Sequence, residues 1–265
     1  MKRGISYFGR IAQWSIALTL IVSSSHASSI LFLDGFESGK TSKWSVATGY
    51  VTTLNPRSGA YCIAVPYEDG QTHMMRIDLG VGIAPTNEFF IRFWVKIGAN
   101  YHAPYLGWKW IRLKHGQVDG IQAEFFCNSE SWGTQVVSYQ TGGFHDNPSL
   151  NWNWYTGGMA DGNWHKVEVF GKYNTDSQAN GILRVWGDGN LKFESTSFVW
   201  RTDTWANDTF KLFYLPSNAG DGTHRAQSGD IIYYDDIEIW DGMPFADGKN
   251  PPKPPSGLKL IITPQ

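Results

Sequence analysis

Every second residue between Glu88 and Ile97 is apolar, in the order Glu-Phe-Phe-Ile-Arg-Phe-Trp-Val-Lys-Ile. Because successive side chains of a strand point to opposite faces, this segment predicts a β-strand with two different faces. The apolar face, typical of a sandwich core, comprises Phe89, Ile91, Phe93, Val95 and Ile97. The opposite face mixes large rings with positive charge and comprises Phe90, Arg92, Trp94 and Lys96. Two interpretations of this mixed face stay open: a surface that stacks sugar rings and holds acidic groups, or a solvated surface without a ligand.

Similar alternation recurs along the chain after residue 28, where no segment has the apolar period of a helix. Clusters of Gly, Asn, Asp and Pro separate the alternating segments. The predicted strands are 30–34, 46–53, 59–66, 72–79, 88–97, 107–115, 120–128, 134–140, 164–173, 181–187, 190–195, 209–215 and 230–240. So many strands at short spacing predict an all-β fold, a two-sheet antiparallel jelly-roll sandwich. Residues 141–163 are predicted to form a long aromatic loop instead.

The first 27 residues have the parts of a secretory signal peptide. Lys2, Arg3 and Arg10 make a positive start, residues 16–22 are apolar, and Ser-His-Ala at 25–27 is a small-x-small cleavage site. The apolar run is far shorter than the ~20 residues that span a bilayer. The sequence therefore predicts a secreted protein, extracellular or periplasmic, with no membrane span in the mature chain.

Composition after residue 27 restricts the partners. Removing the signal peptide takes three of the 22 basic residues and none of the 24 acidic ones, which leaves a formal charge of −5. A chain of this charge lacks the positive field that nucleic-acid binding needs. The full sequence has 13 Trp, 12 Tyr and 15 Phe, more aromatic residues than a core of this size usually holds. Some rings are therefore expected at a surface, where secreted proteins often bind carbohydrate.

The mature chain is predicted to be one domain, residues 28–243, in a monomeric protein. From residue 244 a Pro-rich linker and a short tail follow, residues 244–265. Cys62 and Cys127 are the two cysteines. An oxidising compartment slightly favours a disulfide between them, and the alternative is two small buried residues.

Four motifs resemble the concanavalin A-like lectin/glucanase superfamily. They are Leu-Phe-Leu-Asp-Gly-Phe-Glu-Ser-Gly at 31–39, Asp-Gly-Asn-Trp-His-Lys-Val-Glu-Val at 161–169, Gly-Ile-Leu-Arg-Val-Trp-Gly-Asp-Gly at 181–189 and Tyr-Asp-Asp-Ile-Glu-Ile-Trp-Asp-Gly at 234–242. Within that superfamily the chain is most similar to secreted polysaccharide lyases of the heparin lyase and alginate lyase type. The resemblance implies a jelly-roll sandwich that handles carbohydrate, and it leaves lectin, hydrolase and lyase activities open.

The resemblance also implies a structural calcium ion. In relatives that hold one, the first and last strands lie together and supply oxygen ligands, and the matching positions here are Asp34, Glu37 and Asp235. The alternative is that Asp34 and Asp235 cap turns. No organic cofactor is predicted, because the chain has no Gly-rich phosphate loop.

The acidic residues argue against glycoside hydrolysis, which needs two carboxylates on either side of one bond. Glu124 has no second acid two or four residues further on. A lyase instead neutralises a uronate carboxylate with Arg, Gln or Asn and moves a proton with His or Tyr.

Catalytic candidates for such a lyase are His73, Arg76, Gln122 and Tyr214. Residues 73–79 resemble the Arg-x-Glu-Leu strand of alginate lyases, with Asp78 at the Glu position, and residues 211–215 resemble a late strand that presents a Tyr. His73 and Arg76 have opposite parity on a regular strand, so a bulge is needed to bring them to one face. The alternative for each candidate is a polar residue on a sheet surface.

Residues 108–115, Trp-Lys-Trp-Ile-Arg-Leu-Lys-His, form a second mixed strand. Together with Arg92 and Trp94 its Trp110, Arg112 and Lys114 predict a substrate-binding groove, and Trp152 and Trp154 are expected to wall one end. The alternative is cation–π packing among these residues without a ligand.

The favoured interpretation is a carbohydrate-active protein that binds a polysaccharide, acidic in character, and cleaves it by β-elimination. The alternatives are a lectin-like binding module without catalysis and a surface-adhesion protein. A His or Tyr that converges with Arg or Gln on one sheet face distinguishes the lyase, because a lectin needs only rings and a polar rim.

Overall fold

A computed structural model describes residues 28–66, 76–99, 108–114, 122–127, 135–140, 143–146, 160–175, 178–200, 209–217 and 228–244. These residues form fifteen β-strands: β1 (Ile30–Asp34), β2 (Val46–Ala47), β3 (Tyr50–Thr52), β4 (Cys62–Pro66), β5 (Arg76–Thr86), β6 (Glu88–Ile97), β7 (Trp108–Lys114), β8 (Gln122–Cys127), β9 (Gln135–Gln140), β10 (Gly143–Asp146), β11 (Trp164–Lys172), β12 (Gly181–Gly187), β13 (Asn190–Phe198), β14 (Phe210–Ser217) and β15 (Ile231–Trp240). Within the described ranges, no helix is long and apolar enough to cross a membrane.

The strands form two antiparallel sheets, as the sequence predicts. Sheet A has eight strands, with β13-β12-β11-β6-β15-β4-β3 in order and β1 paired to β15. Sheet B has seven strands in the order β10-β9-β8-β7-β14-β5-β2. The last strand, β15, lies in the interior of sheet A, where it pairs with β6 on one side and with β4 and β1 on the other.

The core fills the space between the two sheets. From β6 it takes the predicted apolar face, Phe89, Ile91, Phe93, Val95 and Ile97, all at most 4% exposed. Sheet B supplies Leu79, Ile111, Leu113, Phe213 and Leu215, all at most 1% exposed. The alternation of β6 therefore confirms the predicted core face, and it identifies the outer face of each sheet as the one turned away from these residues.

The outer face of sheet A carries a second apolar cluster, formed by Phe90, Phe170 and Trp186. The three residues lie on β6, β11 and β12, which are neighbours in the sheet, and Phe90 and Trp186 are 0% exposed. Apolar residues are thus buried on both faces of sheet A, so the mixed face of β6 is packed rather than solvated at Phe90.

Some strand bounds differ from the prediction. The predicted strand 46–53 is two strands, β2 in sheet B and β3 in sheet A. β5 continues to Thr86, beyond the predicted strand end at residue 79, because it pairs with β14 along this length. β10 lies in the segment predicted to be a loop, and it forms a hairpin with β9.

The slightly favoured disulfide is contradicted by the structure. Cys62 is a free, buried thiol in β4 of sheet A, while Cys127 ends β8 of sheet B. The Cys62 thiol donates a hydrogen bond to the Leu54 carbonyl oxygen, with the sulfur and the oxygen 3.3 Å apart. Cys62 therefore takes the alternative role of a small buried residue.

Candidate functional site

Arg112 and Tyr214 lie directly opposite each other at the centre of sheet B, on β7 and β14. Their sequence neighbours Leu113 and Phe213 are also paired and are buried in the core. Because strand positions alternate between faces, Arg112 and Tyr214 belong to the outer face of sheet B. Directly opposed residues have Cβ atoms roughly 5 Å apart, so the two side chains are immediate neighbours.

The register extends this pair into a row across the sheet. Glu124 on β8 is opposite Arg112, and Gly80 on β5 is opposite Tyr214. Two positions further along, a second row contains Gln122 opposite Lys114, which is itself opposite Leu212. The topology thus brings four sequence candidates, Arg112, Lys114, Gln122 and Tyr214, to adjacent register positions on three neighbouring strands.

Arg112 and Tyr214 differ in their exposure. Arg112 is only 2% exposed although it belongs to an outer face, and Tyr214 is half-buried. A guanidinium keeps its charge in such a setting and offers a planar fork that matches a carboxylate. A Tyr beside it provides a phenolic O–H that both donates and accepts a hydrogen bond. The pairing of β7 with β14 thus places a guanidinium and a phenol at neighbouring positions.

The described residues define the positions of the remaining catalytic candidates, Arg76 and His73, only in part. Arg76 begins β5 and is opposite Ser217, three positions beyond Tyr214. A register shift between Leu215 and Pro216 separates it from the Arg112–Tyr214 row. His73 lies outside the described residues. This shift lies between Ile77 and Leu79 of β5 and not between His73 and Arg76, so the bulge that would bring those two residues to one face stays a prediction.

The two mixed strands do not form one groove. β6 lies in sheet A and β7 in sheet B, and both turn their apolar faces toward the shared core. Arg92 and Trp94 are therefore on the opposite side of the sandwich from Arg112. The prediction of one groove lined by both strands is wrong, because alternation identifies the outer face of a strand but not the sheet to which the strand belongs.

On sheet A the cations of the mixed face already have protein partners. Arg92 donates to Glu168 at 2.8 Å and to Glu238 at 3.3 Å, and these two acids flank it on β11 and β15. The guanidinium of Arg57 lies over the Trp94 ring, 4.1 Å from its centroid. Trp94 thus takes part in a cation–π contact, although its partner Arg57 is not one of the residues for which the sequence suggested such packing.

The other predicted binding residues are only partly described. The register between β7 and β8 shifts between Lys109 and Ile111, so regular alternation along β7 is interrupted at Trp110. Trp152 and Trp154 lie outside the described residues. Their place relative to Arg112 stays a prediction.

The predicted calcium ligands lie near one end of sheet A. Asp34 is opposite Ile237 in the β1–β15 ladder, two residues from Asp235, which confirms that the first and last strands are adjacent. Asp34 accepts hydrogen bonds from the Phe36 amide at 3.0 Å and from the Trp44 indole at 2.8 Å. This is the turn-capping alternative for Asp34.

Glu37 and Asp235 also bind backbone N–H groups. Glu37 accepts from the amides of Ala60 and Tyr61, and Asp235 accepts from those of Arg57 and Ser58. Burial and the neighbouring Asp236 carboxylate raise the pKa of Asp235 to about 7. Across the described ranges, no group of three or more His, Cys, Asp or Glu side chains could hold a metal ion. Glu37 and Asp235 thus both bind the segment 57–61, and a calcium ion at the three predicted positions stays a prediction.

A cluster that the sequence analysis did not single out joins His165 to two aspartates. His165 Nδ1 lies 2.9 Å from Asp188 and its Nε2 lies 3.0 Å from Asp161. The hydrogen bond to Asp188 raises the pKa of His165, partly offset by burial. The cluster fixes the loop before β11 to the turn between β12 and β13. The three residues belong to the motifs at 161–169 and 181–189. The Asp and His residues of these motifs were the sequence signal from which the cluster could have been predicted.

Solved structures share this fold, while no protein-family profile and no curated protein sequence matches the chain. An endo-β-1,4-glucuronan lyase from the fungus Trichoderma reesei matches with a TM-score of 0.57 at 17% identity, over 83% of this chain and 98% of that one. An alginate lyase, vAL-1, from a Chlorella virus matches with a TM-score of 0.54 at 13% identity, over 80% and 98%. The cellulose-induced protein Cip1 matches with a TM-score of 0.53 at 15% identity, over 78% and 96%. The chain therefore has the β-sandwich fold of these proteins.

Proposed function

We propose that the protein is a polysaccharide lyase that binds an acidic polysaccharide on the outer face of sheet B and cleaves it by β-elimination. The observation that carries the proposal is the pairing of Arg112 with Tyr214 at the centre of that sheet. Two solved structures with the same fold are named as lyases of uronate polymers, glucuronan and alginate, which supports the choice of substrate class.

The reaction assigns one task to each group. Arg112 pairs with the uronate carboxylate and stabilises the negative charge that develops there when the neighbouring C5 proton leaves. The electron pair forms the C4=C5 double bond, the C4–O bond breaks, and the departing oxygen takes up a proton. Tyr214 transfers a proton in this step. The base that takes up the C5 proton stays a prediction, with His73 as the candidate. Further contacts to the uronate carboxylate stay predictions for Arg76 and Gln122.

A survey of polymers tests the activity directly. The purified full chain is incubated with polyglucuronate, alginate and a neutral β-glucan, and the unsaturated product is followed by its ultraviolet absorbance. We expect product from at least one uronate polymer and none from the neutral glucan. Binding of a uronate polymer without product would instead favour the lectin-like alternative, and indifference to all polymers would favour adhesion.

Export from the cell is part of the proposal. Residues 1–27 have the sequence of a signal peptide, so the secreted protein should begin near Ser28. The intact mass of material from the culture medium measures this. A mass that still includes residues 1–27 would contradict the proposed processing.

Calcium stays a prediction of the family resemblance, and the described carboxylates do not support it. A ligand that binds only the folded state at a hundredfold excess over its Kd adds about 2.7 kcal/mol of stability. A melting temperature that rises with calcium and falls with chelator would show that the folded protein binds the ion.

A further inference from the structure

We infer that a cavity at one edge of the sandwich is a second binding site for the acidic polysaccharide, separate from the outer face of sheet B. The edge cavity has a volume of about 410 Å³. It is lined by Gly39, Lys40, Thr41, Ser42, Gly49, Tyr50 and Val51. Small-molecule sites have volumes of roughly 300–1,000 Å³, so one sugar unit of a polymer fits. The inference rests on the proposed function for the chemical class of the ligand.

The edge cavity lies where the edges of the two sheets meet. Its walls are the loop before β2 and the segment that leaves β2 in sheet B and enters β3 in sheet A. The Ser45 amide donates to the Gly80 carbonyl at 2.9 Å, and Gly80 is opposite Tyr214. β2 is two strand spacings from the strand of Tyr214, roughly 10 Å. A polymer that crosses the outer face of sheet B toward β2 therefore leaves the sheet near this cavity.

The groups that line the edge cavity suit a sugar with a carboxylate. Lys40 is exposed and makes no ion pair with any described residue, whereas the nearby Lys43 lies 3.4 Å from the Asp34 carboxylate. Tyr50 is 51% exposed and lines the same cavity as Lys40. Thr41 and Ser42 add hydroxyl groups, and none of the seven lining residues is acidic. An ammonium group, an open aromatic ring and hydroxyls are the groups that bind the carboxylate, ring face and hydroxyls of a uronic acid.

The backbone accounts for the two glycines of the cavity but not for its polar residues. Gly39 has a left-handed φ of +68°, which favours glycine. At Gly49 a Cβ atom would overlap the carbonyl oxygen of Ala64. Local structure requires neither the charge of Lys40 nor the half-exposed ring of Tyr50. Those two residues therefore carry the inference.

Substrate length separates the two sites experimentally. We would compare Lys40→Glu and Tyr50→Ala with the parent and with Lys192→Glu, a control on β13 at the far edge of sheet A. Affinity for polyglucuronate and alginate is measured by calorimetry, and cleavage is measured on the polymer and on a uronate tetrasaccharide. We expect about a three- to tenfold loss of polymer affinity in both cavity variants. Tetrasaccharide cleavage should match the parent, and Lys192→Glu should match it in every measurement.

The other possible results distinguish the second site from the proposed lyase activity. Cavity variants that fold, bind and degrade polymer as the parent does would overturn the second site and leave the proposed function standing. Polymer binding that depends on Lys40 in a protein that cleaves nothing would support the second site and refute the lyase. A parent that neither binds nor cleaves any uronate polymer would overturn both.

Discussion

At the scale of single residues, the two sheets use arginine differently on their outer faces. Arg92 on sheet A lies between Glu168 and Glu238, so an incoming carboxylate would have to displace carboxylates of the protein itself. Arg112 on sheet B is opposite a tyrosine on one side and the position of Glu124 on the other. Both arginines thus have a glutamate at a facing position, and what distinguishes Arg112 is the tyrosine on its other side.

Removing the hydroxyl of Tyr214 tests the proposed proton transfer. Tyr214→Phe should lower kcat on a uronate polymer by about 10²- to 10⁴-fold, the usual contribution of a general acid or base. Tyr233→Phe is the control, because Tyr233 is a half-buried tyrosine on β15 of sheet A. Steady-state rates with a circular dichroism melt measure both effects. Equal rates for the parent and Tyr214→Phe would exclude Tyr214 from the chemistry.

Protonation of His165 should stabilise the fold at low pH. Its pKa is raised in the folded state by Asp188 and Asp161, above the ordinary value of about 6.5. The stabilisation is therefore complete below the unfolded pKa and is lost as pH rises through the folded pKa. We expect the difference in free energy of unfolding between the parent and His165→Asn to be larger at low pH than at high pH. Asp235 titrates in both proteins, so its contribution cancels when the two free energies of unfolding are subtracted.

Urea unfolding at several pH values above 5 measures this difference. The range avoids the region where Asp161 becomes protonated, since hydrogen bonds from Asn163 and His165 hold its pKa below the ordinary value despite some burial. A difference that stays constant with pH would mean that His165 is neutral in the cluster throughout the range.

At the scale of elements, the sequence predicts strands better than it predicts sheets. The bounds of β1 and β6 match the prediction, because the apolar run of β1 and the alternating run of β6 each end at turn residues. The break between β2 and β3 was not predicted, since it depends on the close approach of Gly49 to Ala64, a contact between distant segments. The site was predicted in part: Arg112 and Tyr214 were chosen separately, and only the β7–β14 pairing brings them together.

Gly171 on β11 has no side chain, which leaves room for a residue of the neighbouring strand β6. It is opposite Phe89, and a Cβ atom there would overlap the Phe89 ring. That ring cannot move freely, because it packs against Trp200 and Phe210 at centroid distances of 5.6 and 4.7 Å. Gly171→Ala should therefore lower the free energy of unfolding by about 1–3 kcal/mol, as overpacked cores do.

Gly98→Ala is the matched control for this substitution. Nothing lies within 4 Å of a Cβ atom at Gly98, so its stability should stay close to that of the parent. Urea midpoints compare the three proteins. Equal midpoints for Gly171→Ala and the parent would show that the Phe89 ring has room to shift.

At the scale of the whole molecule, the structure predicts that the sandwich is held without an intrachain disulfide. The chain has two cysteines, and Cys62 is free and buried. Burial and the nearby Asp235 carboxylate raise the pKa of the Cys62 thiol to about 12. Because the thiolate is the reactive form, Cys62 should resist alkylation in the folded protein.

Alkylation followed by mass measurement tests this without a reducing agent. The unfolded chain should take up two equivalents of iodoacetamide, and the folded chain should leave Cys62 unmodified. An unfolded chain that takes up none would contradict the free thiol and reinstate the disulfide between Cys62 and Cys127.

The position of β15 has a consequence for how the protein acquires its fold. The final strand of the domain joins β6 to β4 and β1, so these earlier strands lack a partner along one edge until residues 231–240 arrive. Contacts between segments so far apart in sequence form slowly. Until then a nascent chain would lack the ladders that join β6 to β4 and β1 through β15. Truncation before Ile231 should correspondingly remove the ladders that join β15 to β6, β4 and β1 rather than trim one edge of sheet A.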